Sequence, residues 1–167
     1  VKMAKFKAVL DQWIRDNEIT GTAIQCWNSV QENLGVNVCT LMSMMSENLI
    51  PSACETDITG LLSMYTLQLA GDAPAILVDW NNNYAAKKDE CVLFHCGNFA
   101  KSYVPNACMG NAKILATTMG TENTMGTIEG RVVGDKMTYA RVSTDDVNGM
   151  IRAYTGEGKF VNDELDT

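Results

Sequence analysis

Apolar residues recur at helical spacing in the middle of the chain, and this spacing predicts an amphipathic helix. The stripe consists of Ile58, Leu61, Leu62, Tyr65 and Leu69. Thr56 or Asp57 can cap the start of this helix, and Gly71 can close its end. A short apolar run, Ala75–Val78, follows Pro74 and predicts a buried strand.

Two acidic residues flank this helix–strand unit. Glu55 comes just before the helix, and Asp79 comes just after the predicted strand. Residues at the ends of strands meet at one edge of an α/β sheet, where ligands bind. We therefore expect the two carboxylates to converge, which suits a hard divalent cation or acid–base chemistry.

The first 80 residues alternate between helical and strand patterns. The predicted helices cover residues 6–14, 28–34 and 39–49, and the predicted strands cover 22–27 and 50–54. Such alternation is typical of a parallel sheet covered by helices. The predicted first domain, residues 1–110, is therefore a partial α/β domain that carries the two acids.

The pattern after Asp79 is different. A polar loop is predicted at Asn81–Tyr84 and a strand at Cys91–Cys96. Two hairpins are then predicted, one around Gly134–Asp135 and one around Gly156–Gly158. The predicted fold class is thus α/β followed by mainly antiparallel β, with residues 111–167 beginning a C-terminal β-barrel-like domain.

Composition and charge exclude some classes of partner. The chain has 167 residues, 46% of them hydrophobic, and a net charge of −7. The negative charge argues against nucleic acid and anionic membranes, which reward clustered Lys and Arg. No apolar run reaches the roughly 18 residues of a membrane span. The six cysteines form no C-x-x-C pair, which predicts free thiols in a reducing cytoplasm.

His95 is the only histidine, and it follows a predicted strand. Together with Glu55 and Asp79 it offers ligands for Mn²⁺ or Mg²⁺. The residues alone leave simpler roles open. Glu55 can stabilise a helix N-terminus, Asp79 can hold the following turn, and His95 can bond to backbone.

Several motifs, in the same order, resemble the L-fucose/L-arabinose isomerase superfamily from about Thr20 onward, and they are closest to its L-fucose isomerase-like branch. They are Cys26–Gln31 (CWNSVQ), Pro51–Gly60 (PSACETDITG), Val78–Asn82 (VDWNN), Phe94–Asn98 (FHCGN), Gly130–Arg131, Arg141–Asp145 (RVSTD) and Arg152–Gly158 (RAYTGEG).

The resemblance implies a cytoplasmic, oligomeric aldose–ketose isomerase that uses Mn²⁺, with Mg²⁺ or Co²⁺ as alternatives, and an ene-diol intermediate. It places the metal-binding and catalytic acids on Glu55 and Asp79. His95 matches a metal ligand of the arabinose branch. The family takes a further ligand histidine from downstream, whereas this chain has none after His95. We therefore expect a C-terminal portion of a longer enzyme that is inactive by itself.

The implied partners are a small sugar and further copies of the chain. Trp27, Asn81 and Asn98 are the candidate substrate-binding residues, although Trp27 can also fill core and the asparagines can hold turns. Two alternatives remain: a non-catalytic carbohydrate-binding protein, or an assembly domain that packs against sister subunits.

Overall fold

The computed structural model describes residues 1–165. The helices are α1 (Lys2–Asp16), α2 (Ser29–Leu34), α3 (Cys39–Glu47), α4 (Ile58–Gly71) and α5 (Lys113–Met119). The strands are β1 (Thr22–Ile24), β2 (Ser52–Cys54), β3 (Asp79–Asn83), β4 (Cys91–Phe94), β5 (Cys108–Asn111), β6 (Met125–Glu129), β7 (Lys136–Asp145) and β8 (Met150–Lys159). A single 3₁₀ turn covers Thr121–Asn123.

The first half contains one parallel strand pair. Strands β1 and β2 pair in parallel, with Ala23 opposite Ala53, and α2 and α3 form the crossover between them. Strand β2 is wholly buried, as expected where helices cover a parallel sheet. The methionine-rich α3 supplies the core residues Leu41, Met42 and Met45. The predicted mixed α/β character is confirmed for this part of the chain.

The strand predicted at Ala75–Val78 is wrong. The ladder begins at Asp79, and β3 pairs antiparallel with β4, with Asp79 opposite Phe94. Asp79 therefore opens a strand, and Asn81–Asn83 belong to that strand instead of a polar loop. Ala75 is still buried, and Leu77 is partly buried, because both side chains pack in or against the core clusters. The apolar pattern of this segment therefore reflects packing against the core, and it does not indicate pairing with another strand.

Both predicted hairpins are also wrong. Strand β6 pairs with β5, and β7 pairs with β8. Gly156 and Gly158 lie inside β8, opposite Tyr139 and Met137. A Cβ at Gly156 would come within 2.4 Å of the Tyr139 hydroxyl oxygen, so the glycine makes room for a large cross-strand side chain. The reversal falls instead between β7 and β8, where Gly149 has a φ of +63°.

The predicted β-barrel-like domain is not supported. Within residues 1–165 the strands form four separate two-stranded sheets and no closed barrel. The turn errors explain this difference, since a continuous ladder would require β6 to pair with β7. The boundary between residues 110 and 111 stays a prediction. Every helix in the described part of the chain is too short or too polar to cross a lipid bilayer.

The β7–β8 hairpin docks on α4. The guanidinium group of Arg141 binds the carboxylate of Asp57, and the backbone N–H of Val142 donates to the Ser63 hydroxyl at 2.8 Å. The C-terminal hairpin is therefore fastened to the helix that follows Glu55.

Candidate functional site

Glu55 lies on a strained turn between β2 and α4. Glu55 and Thr56 both adopt left-handed backbone angles, with φ of 59° and 58°. This conformation is costly for residues with a Cβ, and most of all for a β-branched one such as Thr56. The next residue, Asp57, caps α4 by accepting a hydrogen bond from the backbone N–H of Gly60 at 2.7 Å. Strain of this kind is concentrated at functional sites.

Glu55 faces a cavity of about 360 Å³ that also collects Asp79, His95 and Trp27. Asp79 reaches it from the start of β3, and His95 reaches it directly after β4. The rest of the wall comes from α5 and from Asn28, Gln31, Phe94 and Cys96. Four of the predicted site residues therefore share one cavity, although Asp79 arrives through an antiparallel pair and not the predicted parallel edge.

The charges in this cavity affect each other. Partial desolvation by the cavity wall raises the pKa of Glu55, although its side chain is exposed; His95 lowers this pKa, and the negative charges of Cys96, Asp79 and Asp57 raise it. Burial alone would lower the pKa of His95. Its hydrogen bond to Cys96 and the charges of Cys96, Asp79 and Glu55 outweigh burial, so the pKa is raised overall. The charges of His95 and Glu55 therefore attract each other, although this attraction does not offset the other effects on Glu55.

The two carboxylates share one cavity, but Glu55, Asp79 and His95 do not form a group of ligand atoms within 4.8 Å of one another. Both carboxylates are solvent-exposed within the cavity wall, and they offer the oxygen donors that Mn²⁺ and Mg²⁺ prefer. His95 is oriented differently. Its Nε2 lies 2.9 Å from the sulfur of Cys54, and its Nδ1 lies 3.6 Å from the sulfur of Cys96. Both ring nitrogens therefore contact thiols.

Among the predicted substrate-binding residues, only Trp27 lines the cavity. Its side chain is 48% exposed, so it forms wall and does not fill core. Asn98 is fully buried and donates to the carbonyl oxygen of Ser52 at 2.9 Å. Asn81 is exposed on β3, where its amide donates to the carbonyl oxygen of Asp79 at 3.4 Å. A substrate role for these two asparagines stays a prediction.

Gln31 is a cavity residue that the sequence reasoning missed. Its Oε1 accepts a hydrogen bond from the backbone N–H of Asn28 at 3.1 Å. Its Nε2 is buried and has no partner among the described residues, and an unpaired buried donor is costly. The spacing of Asn28 and Gln31 at the start of a helix matches a capping box, and this signal was available in the sequence.

Four cysteines beside the cavity were also missed as a group. Hydrogen bonds from the thiols of Cys26, Cys39 and Cys54 lower the pKa of Cys96. Contacts with Cys26 and Cys96, together with burial, raise the pKa of Cys54. The contacts within the cluster therefore shift the pKa values of Cys96 and Cys54 in opposite directions. No spacing motif marks it, because the four cysteines are scattered from position 26 to position 96.

A second cavity, of about 330 Å³, lies between α4 and β7. Its wall is mainly apolar and includes Met64, Leu67 and Tyr139. None of the predicted site residues lines it, so the candidate chemistry belongs to the cavity at Glu55.

Comparison with known proteins shows similarity to sugar isomerases. Residues 93–167 match the family described as L-fucose isomerase, C-terminal domain. The sulfoquinovose isomerase of Alkalicoccus urumqiensis is 33% identical over 110 residues, covering 64% of this chain and 24% of that protein. That of Clostridium sp. (strain MSTE9) is 36% identical over 93 residues, covering 55% and 20%. No solved structure matches the chain.

The proteins that this chain resembles are thus sugar isomerases. Residues 93–167 resemble the family of L-fucose isomerase C-terminal domains, and the predicted resemblance is confirmed. A further relative, the sulfoquinovose isomerase of Priestia aryabhattai, is 32% identical over 102 residues, covering 60% of this chain and 23% of that protein. The chain spans about a quarter of the length of these curated relatives.

Proposed function

We propose that the full-length protein is a divalent-metal-dependent aldose–ketose isomerase, and that Glu55 and Asp79 are both its metal ligands and its acid–base pair. One observation carries the proposal. The strained turn at Glu55–Thr56 directs Glu55 into the same cavity as Asp79. A position that costs free energy to maintain, next to a second carboxylate, favours a chemical role over helix capping, which Asp57 already performs.

An aldose–ketose isomerase moves a proton between C1 and C2 of the sugar. A bound cation would polarise the two sugar oxygens and stabilise the ene-diolate. One carboxylate takes the proton from one carbon and returns it to the other. Glu55 and Asp79 line the same cavity, so either carboxylate can act as this base.

Two further residues position the sugar. The exposed ring of Trp27 offers an apolar face against which a sugar ring can stack. The unpaired Nε2 of Gln31 offers a hydrogen-bond donor to a hydroxyl group. A site that binds a hydroxyl group through a buried amide rejects analogues that lack this hydroxyl group.

The charge of the cavity favours an uncharged sugar. The described lining contains no Lys or Arg, whereas it contains two carboxylates. A sulfonated sugar, as in the name of the curated relatives, would need a cationic partner from residues outside this lining.

The preferred cation is Mn²⁺, with Mg²⁺ or Co²⁺ as alternatives. We also propose a homo-oligomer in the cytoplasm.

Calorimetric titration of the full-length protein with Mn²⁺ tests the proposal. We expect Glu55→Gln and Asp79→Asn to weaken binding by at least about tenfold. Asp72→Asn is the matched control, since Asp72 lies at the far end of α4, away from the cavity. The proposal is wrong if the intact protein does not bind Mn²⁺, or binds it equally well after both substitutions.

Catalysis is measured separately with L-fucose, L-arabinose and sulfoquinovose in D₂O. Proton transfer through an ene-diol incorporates solvent deuterium at the reacting carbon, and the Glu55 and Asp79 variants should lose this exchange.

The exposed Trp27 beside the cavity also fits a non-catalytic carbohydrate-binding protein. Sugar binding that is independent of metal, without isotope exchange, would support that alternative.

A further inference from the structure

The cluster of cysteines around His95 is a feature that the isomerase chemistry does not use. The residues of this cluster come from separate elements of the fold. Cys54 ends β2, Cys39 begins α3, and His95 and Cys96 follow β4. The ligand atoms of Cys54, His95 and Cys96 all lie within 4.8 Å of one another. The sulfur of Cys39 lies 3.8 Å from that of Cys96.

Packing alone does not account for this arrangement. A single buried cysteine behaves as a small hydrophobic residue. Here Cys39 and Cys54 are buried, and Cys96 is partly buried, beside an imidazole that is 7% exposed. Both imidazole nitrogens lie against sulfur atoms, although an imidazole in a purely structural role usually bonds to a backbone or carboxylate oxygen. The cluster therefore resembles a set of ligands.

The separations of the ligand atoms are close to those of a tetrahedral site. Bonds of about 2.3 Å to sulfur and 2.0 Å to nitrogen place neighbouring ligand atoms roughly 3.5–3.8 Å apart. His95 Nδ1 lies 3.7 Å from the sulfur of Cys54 and 3.6 Å from that of Cys96. His95 Nε2 lies only 2.9 Å from the sulfur of Cys54, so coordination through Nδ1 requires the imidazole ring to rotate.

From this geometry we propose that Cys54, Cys96 and His95 form a site for a thiophilic cation such as Zn²⁺, with donors different from the two carboxylates that line the same cavity. Sulfur and imidazole donors select Zn²⁺ or Co²⁺ over Mn²⁺ and Mg²⁺. The site connects β2 and the end of β4, so the bound cation stabilises the wall of the cavity that holds Glu55. The proposal does not depend on isomerase activity.

Co²⁺ is the probe, because thiolate ligands give it an intense sulfur-to-cobalt charge-transfer band that carboxylates do not give. The full-length protein is reduced and stripped of metal before titration. We expect the band in the wild type and in Glu55→Gln, and its loss in Cys54→Ser and Cys96→Ser, with affinity at least about tenfold lower. Cys108→Ser is the matched control, since Cys108 is exposed on β5, and it should retain the band.

A second measurement uses only the wild-type protein, so it tests the proposal even if the cysteine variants fail to fold. X-ray absorption at the zinc edge of the wild-type protein should show sulfur scatterers at about 2.3 Å. The proposal is overturned if the folded wild type shows no charge-transfer band, or if zinc is surrounded only by oxygen and nitrogen. The two proposals can fail separately, because the carboxylate site is tested with Mn²⁺ and the Glu55 and Asp79 variants.

Discussion

Arg141 binds both carboxylate oxygens of Asp57, with Nη1 at 2.5 Å from Oδ2 and Nη2 at 3.2 Å from Oδ1. Asp57 caps α4 and stands two residues after Glu55. This one contact therefore joins the β7–β8 hairpin to the turn that presents Glu55. A bidentate Arg–carboxylate pair fixes geometry more strictly than a single contact does.

We expect Arg141→Ala to destabilise the protein by about 1 kcal/mol, a value that allows for the partial solvent exposure of the pair. It should also weaken Mn²⁺ binding, because the Glu55 turn is held less firmly. Urea unfolding and calorimetry measure the two effects. Arg152→Ala is the matched control from the same hairpin, since Arg152 pairs with Asp145 at the surface. Equal effects of the two substitutions would contradict this account.

The same pair predicts a dependence of stability on acid pH. Burial would raise the pKa of Asp57, but the hydrogen bonds from Arg141 and Gly60 outweigh burial and hold the pKa below its ordinary value of 3.8. The stability that this shift contributes is present above about pH 4 and is lost as pH falls through the lowered pKa.

Asp57→Asn should therefore flatten the pH–stability profile below pH 4 while preserving the helix cap. Arg141→Ala should flatten it similarly, because the arginine is the main source of the shift. Urea unfolding across this pH range measures the profile. If a steep loss of folding stability at acid pH persists in both variants, groups other than Asp57 cause that loss.

Glu55 should behave in the opposite way. Its pKa in the folded protein lies above the ordinary value of 4.5, chiefly because of partial desolvation by the cavity wall. The ionised form is therefore less favourable in the folded state than in the unfolded chain, and this group costs stability as pH rises through the raised pKa. Glu55→Gln should make the metal-free protein more stable at pH 7 while weakening Mn²⁺ binding, as found where function and stability conflict.

Thermal unfolding with and without Mn²⁺ checks this prediction. The wild type should gain stability from the ion, since a ligand that binds only the folded state stabilises it. Without Mn²⁺, the Glu55→Gln variant should unfold at a higher temperature than the wild type, and it should gain little stability when Mn²⁺ is added. A variant that is less stable than the wild type without metal would show that Glu55 supports the fold.

Two glycines should respond in opposite ways to alanine. A Cβ at Gly156 would lie 2.4 Å from the Tyr139 hydroxyl oxygen, whereas a Cβ at Gly71 would meet nothing within 4 Å. Gly156→Ala should cost about 1–3 kcal/mol by overpacking. Gly71→Ala, at the end of α4, should stabilise the protein by about 0.5 kcal/mol. Urea unfolding of the two variants side by side tests the prediction.

Local signals in the sequence were enough to predict α4 and its cap at Asp57, because helical periodicity and capping involve neighbouring residues. They were not enough to identify pairing partners. The glycines of β8 suggested a turn, and only the opposite residues Tyr139 and Met137 explain why they form a strand. The contact of Cys54 with His95 also spans 41 positions, and no local pattern encodes it.

The Asp57–Arg141 contact joins residues 84 positions apart, and this separation has a kinetic consequence during synthesis. At about 5–20 residues per second, a ribosome needs roughly 4–17 s to add the chain between them. Throughout that interval the Glu55 turn lacks the guanidinium group that fastens it. Closing a loop of this length also costs entropy before the contact is made. The carboxylate site is therefore completed among the last steps of folding, after the parallel strands and α4 have emerged.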